Sequence, residues 1–430
     1  MTVEIELKFI ASPAAVAALP ECLSKLKVQH QETLHLINTY YDTDAGLLRS
    51  HRFGLRVRGC NDSYEMTLKS GGKVVNGIVH RPEYNIPLPT NALDISLLPQ
   101  EVWPQVTEVA ELASALKPLF TTNFQRQLWL VSFQQSVIEI ALDTGTIVAG
   151  EQSEGISELE LELKQGNAAD MLALAQQFTT VEGLRLGSQS KAARGYQLLN
   201  ANESAELPEM TVLVPAAKIT VEQGLEASLE WALSQWQQYE QSWFEGHAQA
   251  QKYVSRSLTS VRQILVVFGG MIPRKATAPL RERLAELEQQ LAAKCPAQDI
   301  IYQPGYLQLK LALMAWMMNK GWRLFVDNKS KDKLAGSFKR FADVTMSRCL
   351  SELKEAFAKQ LTNDGYNDQQ VRLEKQIISF YMLAGAYEQS ESLPYIQTWQ
   401  RLFDAQGDRD VLRRAALEQP PFWLNSGQHL

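Results

Sequence analysis

The sequence predicts an α+β protein of two domains, an N-terminal closed or nearly closed antiparallel β-sheet followed by a C-terminal α-helical bundle. Over the first 200 residues apolar and polar residues alternate with period two, the pattern of strands with one buried face. Past Thr220 apolar residues recur at helical spacing, the pattern of packed helices. A length of 430 residues also exceeds what one ordinary core holds.

The alternating runs are 3–9, 34–41, 53–58, 64–69, 78–86, 125–133, 137–143 and 156–164. Turns at Gly71-Gly72, Gly145, Gly155 and Gly166 are expected to separate several of them. Helices are expected over 13–26 and 168–178, and a third over 106–119. The boundaries that follow are 1–200 for the sheet domain, a polar, proline-containing linker over 201–218, and 219–430 for the helical domain. In the helical domain Leu225, Leu229, Ala232, Leu233, Trp236, Tyr239 and Trp243 lie on one apolar stripe. Leu280, Leu284, Leu287 and Leu291 form another.

Composition narrows the function. Hydrophobic residues at 45% and charged residues at 21% are those of a folded globular chain. The net charge of −6 argues against a general nucleic-acid binder, which carries a positive surplus, and no sequence-specific nucleic-acid partner is expected. The acidic surplus lies before about residue 200, and the remainder is close to neutral. Cys22, Cys60, Cys295 and Cys349 are scattered and form no C-x-x-C pair, as reduced thiols do in the cytoplasm. The N-terminus MTVEIELKFI has acidic residues where a signal peptide has basic ones. The longest apolar runs, 264–272 and 311–318, fall short of the roughly 20 residues of a membrane span. A cytoplasmic protein without a membrane partner is expected. The six histidines, from His30 to His429, show no zinc-like spacing, and no G-x-x-x-x-G-K-[ST] loop is present.

The strand faces carry the chemistry. Side chains alternate across a strand, so Glu4, Glu6 and Lys8 share one face of the first run. Arg52, Gly54, Arg56 and Arg58 share another face, as do Glu65, Thr67 and Lys69. Arg81, Glu83 and Asn85 make a row, Glu139 lies with Asp143, and Glu158, Glu160, Glu162 and Lys164 line the last run. For any single strand a water-exposed face is the alternative, but such faces mix Ser, Thr, Gln and Lys, whereas these are dominated by Glu and Arg. Three carboxylates in a row cost stability unless cations lie between them. A barrel with these faces pointing inward resolves the conflict. Its lumen holds carboxylates, which suit hard cations such as Mg²⁺ or Mn²⁺, and Arg and Lys, which suit phosphate oxygens.

These residues also fall into motifs: Glu4-Ile5-Glu6-Leu7-Lys8, Thr39-Tyr40-Tyr41-Asp42-Thr43, Leu55-Arg56-Val57-Arg58, Thr67-Leu68-Lys69, Arg81-Pro82-Glu83, Arg126, the SELELELK run at 157–164, and SKAARGY at 190–196. In that order they resemble the CYTH, or triphosphate tunnel metalloenzyme, family. The resemblance implies an eight-stranded antiparallel β-tunnel with flanking helices. It implies Glu4 and Glu6 as metal ligands, completed by two of Glu158, Glu160 and Glu162, the register leaving open which two. Arg56, Arg58, Lys69, Arg126 and Lys191 correspond to a triphosphate clamp, and Lys8, Arg81 and Arg194 to supporting cations. Glu139 and Asp143 correspond to groups that hold a second metal or position the attacking water, so the catalytic candidates are Lys8, Glu139 and Asp143. The helical half resembles the CHAD domain, a module associated with polyphosphate. It departs from that pattern at 252–268, which keeps mainly Lys252, Arg256 and Arg262. A CYTH domain followed by a CHAD-like bundle resembles bacterial inorganic triphosphatases.

The expected activity is metal-dependent hydrolysis of inorganic triphosphate to pyrophosphate and phosphate, with polyphosphate as a further ligand of the helical domain. Two alternatives stand beside it. One is an enzyme acting on an organic triphosphate, such as thiamine triphosphate, an RNA 5′-triphosphate or ATP in cyclisation. The other is a polyphosphate-binding scaffold supported by the basic stretch Lys329, Lys331, Lys333, Lys339 and Arg340.

Overall fold

A computed structural model describes residues 2–103, 108–200 and 207–424. The chain divides into two compact units, residues 1–206 with 298–315, and residues 207–297 with 316–430.

The first unit is built on β1 (Thr2–Ala11), β2 (Val28–Asp42), β3 (Gly54–Cys60), β4 (Ser63–Lys69), β5 (Lys73–Val75), β6 (Ile78–Leu88), β7 (Lys117–Phe133), β8 (Ser136–Ala149), β9 (Gln152–Gln165) and β10 (Leu184–Leu186). Eight of these close into a ring in the order β1-β9-β8-β7-β2-β3-β4-β6, with β6 pairing back onto β1. The short β10 extends β1 and β5 extends β6. All pairings are antiparallel, so the expected eight-stranded tunnel is the observed architecture, and closure leaves the long strands no free edge. Among the described residues, two-residue turns set the register of four hairpins. Their first residues, Asn61, Asn76, Gln134 and Gly150, hold φ of 52°, 53°, 51° and 60°, as tight hairpins of right-twisted strands require.

Five helices join these strands: α1 (Pro13–Ser24), α2 (Leu47–Ser50), α3 (Val109–Ala115), α4 (Ala168–Gln177) and α5 (Lys191–Leu199). Ser12, Asn167 and Ser190 cap α1, α4 and α5 by accepting from backbone amides of the first turn. Outside the ring Leu55, Val57, Met66 and Leu68 pack with Leu98, Trp103 and Leu112. Inside it, the faces that carry charge along part of each strand turn apolar at one end. There Leu36, Phe120, Phe124, Ile147 and Ile156 pack with Tyr196 of α5.

Several sequence expectations need correction. The helix expected over 106–119 is α3, and residues 117–119 open β7 instead; Pro118 has no amide for a helix but suits the start of a strand. Residues 106–107 lie outside the described residues, as do His429 and positions 201–206 of the expected linker. Gly145 and Gly155 are not turns. They lie inside β8 and β9, where Gly145 pairs with Ile156 and Gly155 with Thr146. Gly145 is needed for close approach, because a Cβ there would sit 2.2 Å from Asn123 O and 2.4 Å from Phe124 Cα. The three-residue strands β5 and β10 are too short for periodicity to mark.

The rest of the chain is helical: α6 (Val221–Phe244), α7 (Ala250–Val267), α8 (Arg274–Gln290), α9 (Gln298–Ile301), α10 (Pro304–Met318), α11 (Asn328–Leu334), α12 (Phe338–Ala356), α13 (Asn363–Leu383), α14 (Gln389–Asp404) and α15 (Arg409–Glu418). Both expected apolar stripes are buried in the second unit. Thr220 and Gln223 form a capping box at the start of α6, and Gly224 lies flat against the Phe338 ring, where a Cβ would meet ring carbon at 2.0 Å. Residues 298–315, expected within the helical domain, group with the first unit. They include most of α10, whose sequence PGYLQLKLALMAWMM shows apolar residues on every side, the mark of a helix buried all round. Part of the expected linker is docked rather than free, since Leu213 donates its amide to Tyr381 O at 3.0 Å.

Replacing Gly145 by Ala is expected to cost about 1–3 kcal/mol through overpacking, seen in calorimetry as a lower melting temperature. Gly155→Ala, whose Cβ would enter open space, leaves the melting temperature within error of wild type.

Candidate active site in the tunnel

Pairing across β1, β9 and β8 arranges the charged side chains in rows. Glu6 faces Glu162, which faces Glu139. One step along, Lys8 faces Glu160, and beyond that Glu158 faces Asp143, which faces Arg126 of β7. The rows open into a cavity of about 490 Å³. Glu4, Glu6, Lys8, Glu139, Glu160 and Glu162 line it, as do Arg56, Arg58, Lys69, Arg81, Arg126 and Lys191. Of the three glutamates on this face of β9, Glu160 and Glu162 line the cavity, whereas Glu158 is fully buried.

The carboxylates differ in how well they are compensated. Glu4 accepts from Lys69 Nζ with both oxygens, at 2.6 and 2.5 Å. Burial alone would raise its pKa, but Lys69 carries it below the ordinary value. Glu160 meets Lys8, Lys191 and Arg126, each at 2.9 Å, and against the cost of burial these hold it well below the usual carboxylate range. Glu6 and Glu162 go the other way. Burial, opposed by Lys8 and reinforced by Glu160 and Glu4, raises Glu6; burial, opposed by Lys164 and reinforced by Glu4 and Glu139, raises Glu162. Lys164 is the cation of this row, 2.8 Å from Glu162 and 3.4 Å from Glu139.

The opposite wall is over-supplied with positive charge. Arg58 donates to Asn38 Oδ1 at 2.9 Å, and burial together with the guanidiniums of Arg56 and Arg126 pushes its pKa down to about 9. Arg56 keeps a buried Nε without a hydrogen-bond partner. Tyr40 stands between them, stacked on Phe120 with centroids 4.7 Å apart. Burial would raise its pKa, yet Arg56, Lys191 and Arg58 bring it below the ordinary value. Guanidiniums crowded on one wall, with the charge of Arg58 penalised, suit the oxygens of a multiply charged anion.

Three expected site residues do not face the cavity. Asp143 is fully buried and accepts from Arg126 Nε and Nη2 at 2.7 Å each. Glu158, also fully buried, accepts from Lys8 at 3.1 Å and Lys191 at 2.8 Å. Arg194 is spent on docking α5, donating to Glu154 at 2.8 Å, to Glu158 and to Gly155 O. Other residues of the site had no role in the sequence reading. Tyr40 and Asp42 sat in a quoted motif, but only the fold shows that Asp42 caps α2 and accepts from Tyr196 of α5 at 2.9 Å. Arg49 lines the cavity from the short helix α2 and Arg52 from the turn that follows it, both outside the alternating runs, which left Arg49 without a signal.

Among the described residues no three Asp, Glu, His or Cys side chains converge closely enough to hold a metal as they stand. The donor chemistry nevertheless fits a hard divalent cation. Glu6, Glu162 and Glu139 lie side by side on three adjacent strands with a single lysine, Lys164, among them, and two of the three have raised pKa values. Oxygen-only donors crowded in this way are stabilised by a cation that keeps part of its water. Also among the described residues, no helix is long and apolar enough to cross a membrane.

Comparison with known proteins agrees with this architecture. The CYTH domain family matches residues 2–196 and the CHAD domain family residues 227–416. The inorganic triphosphatase of Haemophilus influenzae is 43% identical over 203 residues, 46% of this chain and 55% of that protein. The chain thus spans about half the length of the curated relative it matches. Among solved structures, a candidate adenylyl cyclase from Hippeastrum described as having a dominant triphosphatase activity is 20% identical, with a TM-score of 0.34 over 47% of this chain and 97% of its own. The CHAD domain of the plant Ricinus communis is 16% identical, with a TM-score of 0.39 over 49% of this chain and 80% of its own.

The raised pKa of Glu6 has a signed consequence. The folded state holds that proton more tightly than the unfolded chain does, so the ionised side chain destabilises the fold above its raised pKa, and the penalty disappears as pH falls through it. In metal-free buffer Glu6→Gln is therefore expected to melt higher than wild type at pH 8, with the difference shrinking towards pH 5 in a calorimetric pH series.

Proposed function

Because the chain joins a CYTH domain to a CHAD domain, we propose that its tunnel hydrolyses inorganic triphosphate to pyrophosphate and phosphate with the help of a divalent cation, Mg²⁺ or Mn²⁺. The observation that carries the reading is a wall of Arg56, Arg58, Arg126 and Lys191, with Arg56 keeping an unpartnered buried Nε, that shares one cavity with a row of carboxylates. The Haemophilus relative, an inorganic triphosphatase, supports it.

In this reading Arg56, Arg58, Lys69, Arg81, Arg126 and Lys191 bind the phosphate oxygens, and Lys8 supports them between Glu158 and Glu160. The wall neutralises charge that builds on the leaving pyrophosphate, so catalysis is positioning and electrostatics more than covalent chemistry. Glu4, Glu6, Glu160 and Glu162 would hold the cation. When bound, the cation would supply positive charge that screens the phosphate oxygens. Glu139, next to Glu162 and only loosely paired with Lys164, is placed to orient or deprotonate the attacking water.

The second unit is the candidate polyphosphate binder, and its exposed cations gather at α11 and the start of α12. Two of the three cations of α7 are already engaged: Arg256 donates to Gln400 at 2.8 Å and lies 3.8 Å from Glu374, and Arg262 lies 3.4 Å from Glu288, which leaves Lys252 exposed. Lys329, Lys331 and Lys333 on α11 are exposed, as are Lys339 and Arg340.

Turnover of triphosphate, ATP and thiamine triphosphate compared with Mg²⁺ and with Mn²⁺ tests the main reading; inorganic triphosphate is expected to be preferred, and a preference for either organic substrate would overturn it. Glu6→Ala is expected to lower metal-dependent turnover by about 100-fold or more with an unchanged circular dichroism spectrum. Joint replacement of Lys329, Lys331 and Lys333 by Ala is expected to weaken polyphosphate binding while triphosphate turnover stays at the wild-type rate.

A further inference from the structure

The two carboxylates beneath the cavity floor have a task of their own. We infer that Asp143 and Glu158 are positioning residues for phosphate capture: a buried anionic base that fixes Lys8, Arg126 and Lys191, and that neither ligates the metal nor handles the attacking water. The inference rests on the triphosphate reading of the cavity given above and assigns the affinity of that site to residues the substrate does not touch.

Every carboxylate oxygen beneath the floor is occupied. Asp143 Oδ1 accepts from Arg126 Nε at 2.7 Å, and its Oδ2 meets Arg126 Nη2 and Lys191 Nζ, both at 2.7 Å. Glu158 Oε2 meets Lys8 at 3.1 Å and Lys191 at 2.8 Å, and its Oε1 accepts from Arg194. Both side chains have 0% exposure. A divalent cation that retains several waters has no approach to such groups, and an attacking water has none either.

The arrangement gives each of these three cations an anion on both sides. Lys8 pairs with Glu158 below and Glu160 above, Lys191 with Glu158 and Asp143 below and Glu160 above, and Arg126 with Asp143 below and Glu160 above. Without the lower pair, three like charges would share Glu160 alone, and the cations would be drawn over the carboxylate that lines the cavity. With it, each cation keeps a fixed partner while its remaining donors face the substrate. The strand register explains the permanence of this base, because Glu158 and Asp143 are direct neighbours across β9 and β8, and Arg126 follows across β7. Buried ion pairs are worth most where they hold one geometry in place.

The test uses the full-length protein with Asp143→Asn and Glu158→Gln, which keep shape and remove charge. Three quantities are measured: the Kd for inorganic triphosphate by calorimetry in metal-free buffer, Mn²⁺ affinity by electron paramagnetic resonance without substrate, and the pH profile of kcat. Triphosphate affinity is expected to fall about tenfold or more, a loss of about 1.4 kcal/mol, with a parallel rise in KM. Mn²⁺ affinity is expected to stay within about twofold of wild type, and the acid limb of kcat to keep its position. A tenfold loss of Mn²⁺ affinity with triphosphate binding unchanged would make these residues metal ligands. A lost acid limb with unchanged triphosphate affinity would make one of them the base. Either result overturns the inference. If Asp143→Asn fails to fold, Glu158→Gln alone decides: weak triphosphate binding with intact Mn²⁺ affinity supports the inference, and loss of Mn²⁺ affinity with triphosphate binding unchanged overturns it. A wild-type protein that binds triphosphate without hydrolysing it would sink the proposed activity and leave this inference to be decided by the two affinities.

Discussion

Everything in the first unit follows from enclosing charge. A ring of eight strands turns the same face of every strand inward, so charges that could each have faced water must be neutralised by a neighbour across the lumen or the ladder. The antiparallel register supplies that neighbour. It sets Lys8 opposite Glu160 and Asp143 opposite Arg126, and the desolvation penalty of each ion is offset only because its partner lies within hydrogen-bond reach. Where the register instead sets Glu6 against Glu162, the deficit is left for something that enters from outside.

The lumen is therefore graded. At the α5 end it is apolar and packed by Phe120, Phe124 and Tyr196. Above this lie saturated ion pairs, and above those lie groups in imbalance, carboxylates with raised pKa values. Rigidity and reactivity are divided along one axis. The saturated layer cannot exchange partners cheaply, and the imbalanced layer gains from doing so. Asp42 ties α2 to α5 by accepting from the amides of Leu48 and Arg49 and from the Tyr196 hydroxyl, so the helix carrying Arg49 and the helix carrying Lys191 are placed by one carboxylate.

The tunnel was legible in the sequence because period-two alternation survives in every long strand, and a face dominated by Glu and Arg is costly in any open sheet. The site was legible as a set of residues but not as a set of roles. Glu158, Glu160 and Glu162 are equivalent in the sequence, and only their burial in the fold separates Glu158 from the two that reach the cavity. Asp143 shares a face with Glu139, and alternation says nothing of depth. Gly145 and Gly155 read as turns because glycine commonly marks one, whereas close packing against Phe124 explains Gly145. Arg49 gave no signal, since a four-residue helix is too short for a period to read.

One strand has a history that the finished ring conceals. β1 precedes all of its partners, β6, β9 and β10, and its Lys8 meets Glu158, 150 residues later. During synthesis the edge of β1 that meets β9 must wait, with its hydrogen-bonding groups unpaired, until most of the unit has left the ribosome. Contacts of such long sequence separation slow folding and prolong the exposure of unpaired strand. The charges spaced along β1 keep that waiting strand soluble, so the residues that serve the closed tunnel also protect the open chain.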